Sequence, residues 1–174
     1  MRATAGKAIV VFVAVSAGAT VAAAAGSGSE YQAPDFRTTT LDGKSEGVPF
    51  QLNQLRGQVV YLDFWASWCV PCRLSFPALD QLHKKYRKQG FEVVAVNKDV
   101  VKADIGRFLA RVPVGFTLVA DSDDKIARAY QVKTMPSGYV LDRKGRVRHV
   151  HEGFRSNSAE QIEAQIIELL KEPS

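Results

Sequence analysis

The sequence predicts an α/β fold, a central mixed β-sheet with helices on both faces and an N-terminal β-hairpin extension. Three observations carry this reading. Apolar runs of strand length (Val59–Phe64, Phe91–Asn97, Phe116–Ala120) alternate with stretches of helical periodicity. Breaks fall between them at Gly57, Gly90, Pro113 and Gly145. The length of 174 residues, 46% hydrophobic and 24% charged, suits one domain with a full core.

The first 25 residues stand apart. Arg2 and Lys7 are basic, and no acidic residue occurs before Glu30. Ala8 to Ala25 is an apolar, small-residue run ending in Ala23-Ala24-Ala25-Gly26. This pattern predicts a secretory signal peptide over residues 1–25, cleaved after Ala25. The alternative is an uncleaved inner-membrane anchor, since the run reaches the lower limit of a span. Its alanine, glycine and hydroxyl content argues for cleavage. No cysteine at the junction accepts a lipid, and no twin arginine is present. The protein is therefore expected in the periplasm or an equivalent oxidising compartment. Removing Arg2 and Lys7 leaves 21 of the 23 basic residues against 18 acidic ones, a net charge of +3. That balance predicts no nucleic-acid partner.

Residues 26–32 read as a polar linker and residues 33–174 as the folded domain. Ala33-Pro34-Asp35-Phe36 opens it, with a strand expected over Phe36–Leu41. Leu41-Asp42-Gly43-Lys44 is a turn on its Asp-Gly step. Gly47–Phe50 leads into one helical turn over Gln51–Gly57. The buried strand Val59–Phe64 follows, then a helix over Arg73–Gln89 with Leu74, Leu79, Leu82 and Tyr86 at apolar spacing. Pro77 is expected to kink it, and His83, Lys84, Lys85, Arg87 and Lys88 suit its C-terminal dipole. The next strand, Phe91–Asn97, precedes a helix over Val101–Val112 with Ile105, Phe108 and Leu109 inward. After the strand Phe116–Ala120, Asp121-Ser122-Asp123-Asp124 resembles a calcium loop only briefly. Ile126 and Val132 stand where glycine and glutamate are required, so it reads as the cap of a helix over Asp124–Tyr130. Strands at Gly138–Asp142 and Val147–Gly153 flank a hairpin turn at Arg143–Arg146. His149 and His151 share one strand face without a third metal ligand nearby. A last helix over Ser158–Lys171, capped by Ser158 or Asn157, packs Ile162, Ile166, Leu169 and Leu170 on the sheet.

The chemistry centres on Trp65-Ala66-Ser67-Trp68-Cys69-Val70-Pro71-Cys72, which holds the only two cysteines. They sit where a strand hands over to a helix, with Cys69 at or near the helix N-terminus. Free N–H groups and the helix dipole favour an anion there, so the Cys69 thiol is expected to be acidified and reactive. The spacing fits a small disulfide ring. A zinc site would need a second pair, and the three histidines supply none. An inert structural disulfide remains the bland alternative to a redox dithiol.

The segment Leu62-Asp63-Phe64-Trp65-Ala66-Ser67-Trp68-Cys69-Val70-Pro71-Cys72-Arg73 resembles the active-site segment of the thioredoxin superfamily. The surrounding chain, from about Ala33 to Leu170, is similar to secreted TlpA/ResA-like thiol–disulfide oxidoreductases. The resemblance implies a thioredoxin-like fold and reduction of protein disulfides by a Cys69–Cys72 dithiol, without metal or other cofactor. It implies that Met135-Pro136, in Thr134-Met135-Pro136-Ser137, is a cis peptide facing the Cys69 sulfur. Trp68, Pro71, Met135 and Pro136 then form the substrate-binding surface. Asp63, a carboxyl in an otherwise apolar strand, becomes the proton handler for Cys72. Thioredoxins usually add a lysine on the neighbouring strand, where this chain has Ala95. Expected partners are a client protein carrying a disulfide and a membrane or periplasmic electron donor, with the chain itself a monomer.

Three rivals remain. The Pro-Asp-Phe, Asp-Gly-Lys and Leu-Arg-Gly series also resembles peroxiredoxins, but their Pro-x-x-x-Thr-x-x-Cys setting is missing before Cys69. A disulfide oxidant would often carry a histidine between the cysteines, where this chain has Val70-Pro71. A non-catalytic thioredoxin-like binding module would be favoured by loss of one cysteine.

Overall fold

The computed structural model describes residues 31–41 and 47–173, so the expected leader, most of the linker and the Asp42-Gly43-Lys44 turn lie outside it. Among the described residues no helix is long and apolar enough to cross a membrane.

The elements are β1 (Tyr31–Gln32), β2 (Arg37–Thr39), β3 (Pro49–Gln51), β4 (Val59–Trp65), α1 (Cys72–Tyr86), β5 (Phe91–Asn97), α2 (Lys102–Arg111), β6 (Thr117–Ala120), α3 (Lys125–Ala129), β7 (Ser137–Leu141), β8 (Arg146–Glu152) and α4 (Ser158–Leu170). Short 3₁₀ turns occupy Leu52–Leu55 and Arg87–Gln89. Six strands form one mixed sheet in the order β1-β8-β7-β4-β5-β6, and β2 and β3 pair as a separate antiparallel hairpin. The expected α/β architecture with an N-terminal hairpin is therefore what the chain adopts.

Strand β4 is buried along all seven residues. It pairs in parallel with β5 and antiparallel with β7, so neither edge is free and both faces are covered. Its odd residues Val59, Tyr61 and Trp65 join a cluster with Phe76, Leu79, Phe108, Ile162 and Ile166 from α1, α2 and α4. Its even residues Val60, Leu62 and Phe64 join a second cluster with Phe50, Leu52, Ile126 and Tyr130. Right-handed crossovers explain this division. The steps β4-α1-β5 and β5-α2-β6 advance in one direction across the sheet, which puts both helices on the same face. The second face is left to the five-residue α3 and to the N-terminal extension.

That extension does more than the sequence shows. Tyr31–Gln32, inside the stretch read as a linker, pairs antiparallel with Val147 and Arg146 of β8. At the other end, Thr40 bridges Val119 of β6, and Leu41 N–H donates to Leu118 C=O at 2.8 Å. One segment thus covers both sheet edges, which would otherwise present unpaired backbone groups. Asp35 holds the bend between them, accepting from Asn53 N–H and from the Gln51 amide.

Several local expectations need correction. Leu74 points outward and is 67% exposed, while Phe76 is fully buried in its place. Helix α1 begins at Cys72 rather than Arg73 and gives way to the 3₁₀ turn before Gly90, whose φ of 90° only glycine adopts freely. Pro77 lies inside it. Neither Asn157 nor Ser158 caps α4 through a side-chain bond to its amides; the Ser158 hydroxyl instead accepts from Arg155 N–H. The acidic loop does cap α3, from Asp121, whose carboxylate accepts from Ile126 and Ala127 N–H at 2.9 and 2.8 Å. His151 lies 2.7 Å from the Gln165 amide oxygen, and burial pushes the His149 pKa down.

Gly138 on β7 is paired between Asp63 of β4 and His151 of β8. A Cβ there would overlap the Tyr61 hydroxyl and ring, because Tyr61 lies across it. Gly138→Ala is expected to destabilise the fold by about 1–3 kcal/mol in urea unfolding. The loss should be smaller in a Tyr61→Leu background, where the clashing ring is absent.

Candidate active site

The sheet has one place where its strand order reverses. From β4 the chain proceeds outward to β5 and β6, then returns to β7 on the opposite side of β4. Open α/β sheets bind ligands outside the C-terminal strand ends at such a point. Here that is the end of β4, where Trp65 leads into Ala66-Ser67-Trp68-Cys69.

Cys69 and Cys72 form a disulfide with an S–S distance of 2.01 Å and Cα atoms 5.4 Å apart. Cys69 lies in the loop, three residues before the first helical residue, Cys72. Its helix-terminal position is nonetheless met through its sulfur, which accepts from Cys72 N–H at 3.3 Å. The first turn of α1 has no acidic residue, and its last turn carries His83, Lys84 and Lys85. The full helix dipole is therefore available to a Cys69 thiolate, by about 0.3–1 kcal/mol. Cys69 is 4% exposed and Cys72 0%, so Cys69 is the outer sulfur.

The loop is held by a polar clamp that sequence reasoning missed. Asp99, itself buried, accepts from Ser67 N–H at 2.7 Å, from the Ser67 hydroxyl at 2.8 Å and from the Asn97 side-chain amide at 2.8 Å. Asp99 N–H donates back to the Asn97 oxygen at 3.0 Å, and Lys98 N–H reaches Trp65 C=O at 3.0 Å. The end of β5 thus fixes the exit of β4. The available signal was Asn97-Lys98-Asp99, polar residues closing an apolar strand, but nothing local paired them with Ser67. Behind the loop, the Trp65 ring packs at a tilt against Phe76 and Phe108, with ring centroids 4.6 and 4.8 Å away.

The Met135-Pro136 bond is cis. Ser137 pairs with Phe64, so Pro136 and Met135 lie beside the Trp65–Ala66 exit of β4. Met135 packs on the cluster that contains Cys69 and Cys72. Trp68 is 67% exposed at the mouth, and Pro71 is the N-cap of α1.

Asp63 is 1% exposed, and its Oδ2 has no hydrogen-bond partner among the described residues. Strand alternation puts it on the face of Tyr61 and Trp65, the face against which Cys72 packs. Its register partners are Ala95 and Gly138, so neither neighbouring strand offers a cation opposite it. Burial holds its carboxyl well above the ordinary range. Tyr61 is raised as well, by burial first and then by Asp63.

Residues 30–150 match the model of the AhpC/TSA family. The chain belongs to this family. A Geobacillus thermodenitrificans family member named thiol-disulfide oxidoreductase ResA is 35% identical over 121 residues, 70% of this chain and 67% of its own length. A Bacillus cereus protein of the same name is 30% identical over 135 residues, 78% of this chain and 75% of its own. Among solved structures, a Chlorobium tepidum protein described as a thiol:disulfide interchange protein DsbE is 45% identical. It superposes with a TM-score of 0.75 over 81% of this chain and 96% of that one. Together with the Cys69–Cys72 pair, this relationship makes the protein a thioredoxin-like thiol–disulfide oxidoreductase.

Asp99→Ala leaves the Ser67 N–H and hydroxyl without their acceptor. It is expected to cost about 1–3 kcal/mol in denaturant unfolding and to slow disulfide exchange. Asp99→Asn, which keeps an acceptor oxygen, should lose less of both.

Proposed function

We propose that the protein reduces disulfides of client proteins outside the cytoplasm, through Cys69 as nucleophile and Cys72 as resolving thiol. The carrying observation is the Cys69 sulfur, the outer of the pair, set against the first amide of α1. In the reduced protein the Cys69 thiolate attacks a client disulfide. A mixed disulfide forms and one client sulfur leaves as thiolate. Cys72 then attacks the Cys69 sulfur, the second client thiol is released, and the protein is left oxidised. The two electrons passed to the client are returned by a donor dithiol protein. The two cysteines carry both electrons, and no further group is required.

Direction rests on the uncharged Val70-Pro71 pair. No cation between the cysteines over-stabilises the thiolate, which is how strong oxidants reach potentials near −120 mV. The basic start and apolar run of residues 1–25 support export. Trp68 and the Met135-Pro136 segment supply client contacts. No hydrogen bond engages the Met135 backbone among the described residues, which leaves it able to pair with an extended client segment.

Cys72→Ser should trap clients as adducts through Cys69 that collapse with reductant on a gel. The unsubstituted protein should equilibrate with glutathione at a potential well below about −120 mV. Adducts formed by Cys69→Ser instead would reverse the two roles. A potential near −120 mV would make the protein an oxidant, and rapid turnover of hydrogen peroxide would make it a peroxidase.

Asp63 completes the reading as the acceptor of the Cys72 proton during resolution. Its raised pKa has a thermodynamic consequence in the oxidised protein, where the cysteines do not titrate. Below the unfolded-state value, about 3.9, both states hold the proton and nothing is lost. As pH rises above it, the unfolded chain ionises while the native Asp63 resists. Stability therefore falls by up to about 1.4 kcal/mol per pH unit, until the native pKa is reached. Asp63→Asn should remove this slope from about pH 4 upward. It should also leave attack by Cys69 nearly intact while slowing release of the mixed disulfide and flattening its pH dependence. Wild-type resolution rates from pH 6 to 8 would make Asp63 purely structural.

A further inference from the structure

Beside the disulfide lies an open groove of about 340 Å³, lined by Trp68, Arg73, Arg107, Phe108, Arg111 and Val112. Helix α2 supplies one wall. Arg107, Phe108, Arg111 and Val112 fall at helical spacings of three and four residues, so the 3.6-residue period brings them to one face. Arg73, in the first turn of α1 directly after Cys72, supplies the other wall together with Trp68. The groove also contains Asp104, which is paired with Arg107 on its own helix. Arg73 and Arg111 have no carboxylate partner among the described residues. The groove therefore has three guanidinium groups against one carboxylate, beside the aromatic ring of Trp68.

This charge is not spread evenly around the mouth. Of the exposed side chains beside the cysteines in sequence, Trp68, Val70 and Leu74 are apolar and Arg73 alone is charged, and Val100 and Val101 next to the Asp99 clamp are apolar too. Arg73, Arg107 and Arg111 meet in this one groove, which also takes in Trp68. Guanidinium groups recognise carboxylates with paired donors and also stack on aromatic rings.

We propose that this groove is the docking site for an acidic segment of a protein partner, glutamate- or aspartate-rich with interspersed apolar side chains, lying beside the cysteine pair that exchanges with Cys69–Cys72. The apolar rim takes the segment's hydrophobic side chains, and Arg73, Arg107 and Arg111 take its carboxylates. The proposal rests on the oxidoreductase reading for its biological sense, but the groove can be tested without any redox step.

The probe is a cysteine-free octapeptide of alternating glutamate and leucine, with glutamine and lysine counterparts. Binding to the oxidised protein is followed by tryptophan fluorescence, since Trp68 lines the groove and Trp65 is buried. At low ionic strength the glutamate peptide should bind about five- to tenfold more tightly than the glutamine peptide, the size expected of two exposed ion pairs. The preference should vanish in 0.5 M salt and in the Arg107→Gln/Arg111→Gln double variant, and Arg111→Glu should favour the lysine peptide. Equal binding of the glutamate and glutamine peptides would overturn the proposal. So would a preference that survives the double variant, or tighter binding of a single-stranded oligonucleotide of equal charge. Turnover of the small uncharged disulfide 2-hydroxyethyl disulfide by the reduced protein tests the oxidoreductase reading separately. Loss of that turnover with intact peptide preference would leave the groove standing without its redox partner.

Discussion

The complete burial of β4 is the constraint on which the rest of the molecule depends. Parallel pairing with β5 and antiparallel pairing with β7 leave it no free edge, and apolar layers cover both faces. A strand so enclosed has one register, because a one-residue slip would exchange its two side-chain sets between different cores. That register puts Asn97 opposite Trp65 and Ser137 opposite Phe64. The Asp99 clamp and the cis Met135-Pro136 bond therefore both arrive at the level where Cys69 emerges. The site is built where β4 and β5 end and β7 begins, and the dithiol follows directly on the fully buried β4.

The buried aspartates show how selectively this interior tolerates charge. Asp99 accepts three hydrogen bonds, Asp121 accepts two helix amides, and Asp142 accepts Lys144 and Arg146 N–H as well as the Arg146 guanidinium. Each of the three fixes a turn or a helix end. Asp63 differs: its Oδ2 is buried without a partner among the described residues, and Ala95 and Gly138 stand opposite it. An unsatisfied buried carboxyl is retained in a packed core only against a cost in stability. Asp63 lies on the Cys72 side of the sheet.

Exposure is distributed with equal selectivity. The N-terminal extension covers the β8 edge with β1 and reaches the β6 edge through Thr40, so the sheet offers little backbone to strangers. Exposed large apolar side chains instead gather along the segments that border the disulfide, at Trp68, Val70, Leu74, Val100 and Val101. An apolar rim of this kind marks an interaction surface. Arg73, Arg107 and Arg111 line a groove that shares Trp68 with this rim.

Much of this was legible in the amino-acid order. The long strands were, because β4 and β5 are continuous apolar runs bounded by Gly57 and Gly90. The dithiol was, because a cysteine pair between a strand and a helix has few other uses. Asp63 also stood out, as a lone carboxyl within an apolar run facing Ala95. Tertiary structure alone decided what depended on partners distant in sequence. Leu74 fits the apolar period of α1 but falls on the side that no element covers, so Phe76 takes the core. Two-residue β1 has no pattern of its own and exists only through β8. Ser67 meets Asp99 across thirty-two positions, and Arg73 meets Arg107 and Arg111 across two helices. Periodicity reports which face of an element is apolar, because side-chain direction is a local property of the backbone. Which polar groups meet is set by register and crossover, and these exist only once the sheet has closed around β4.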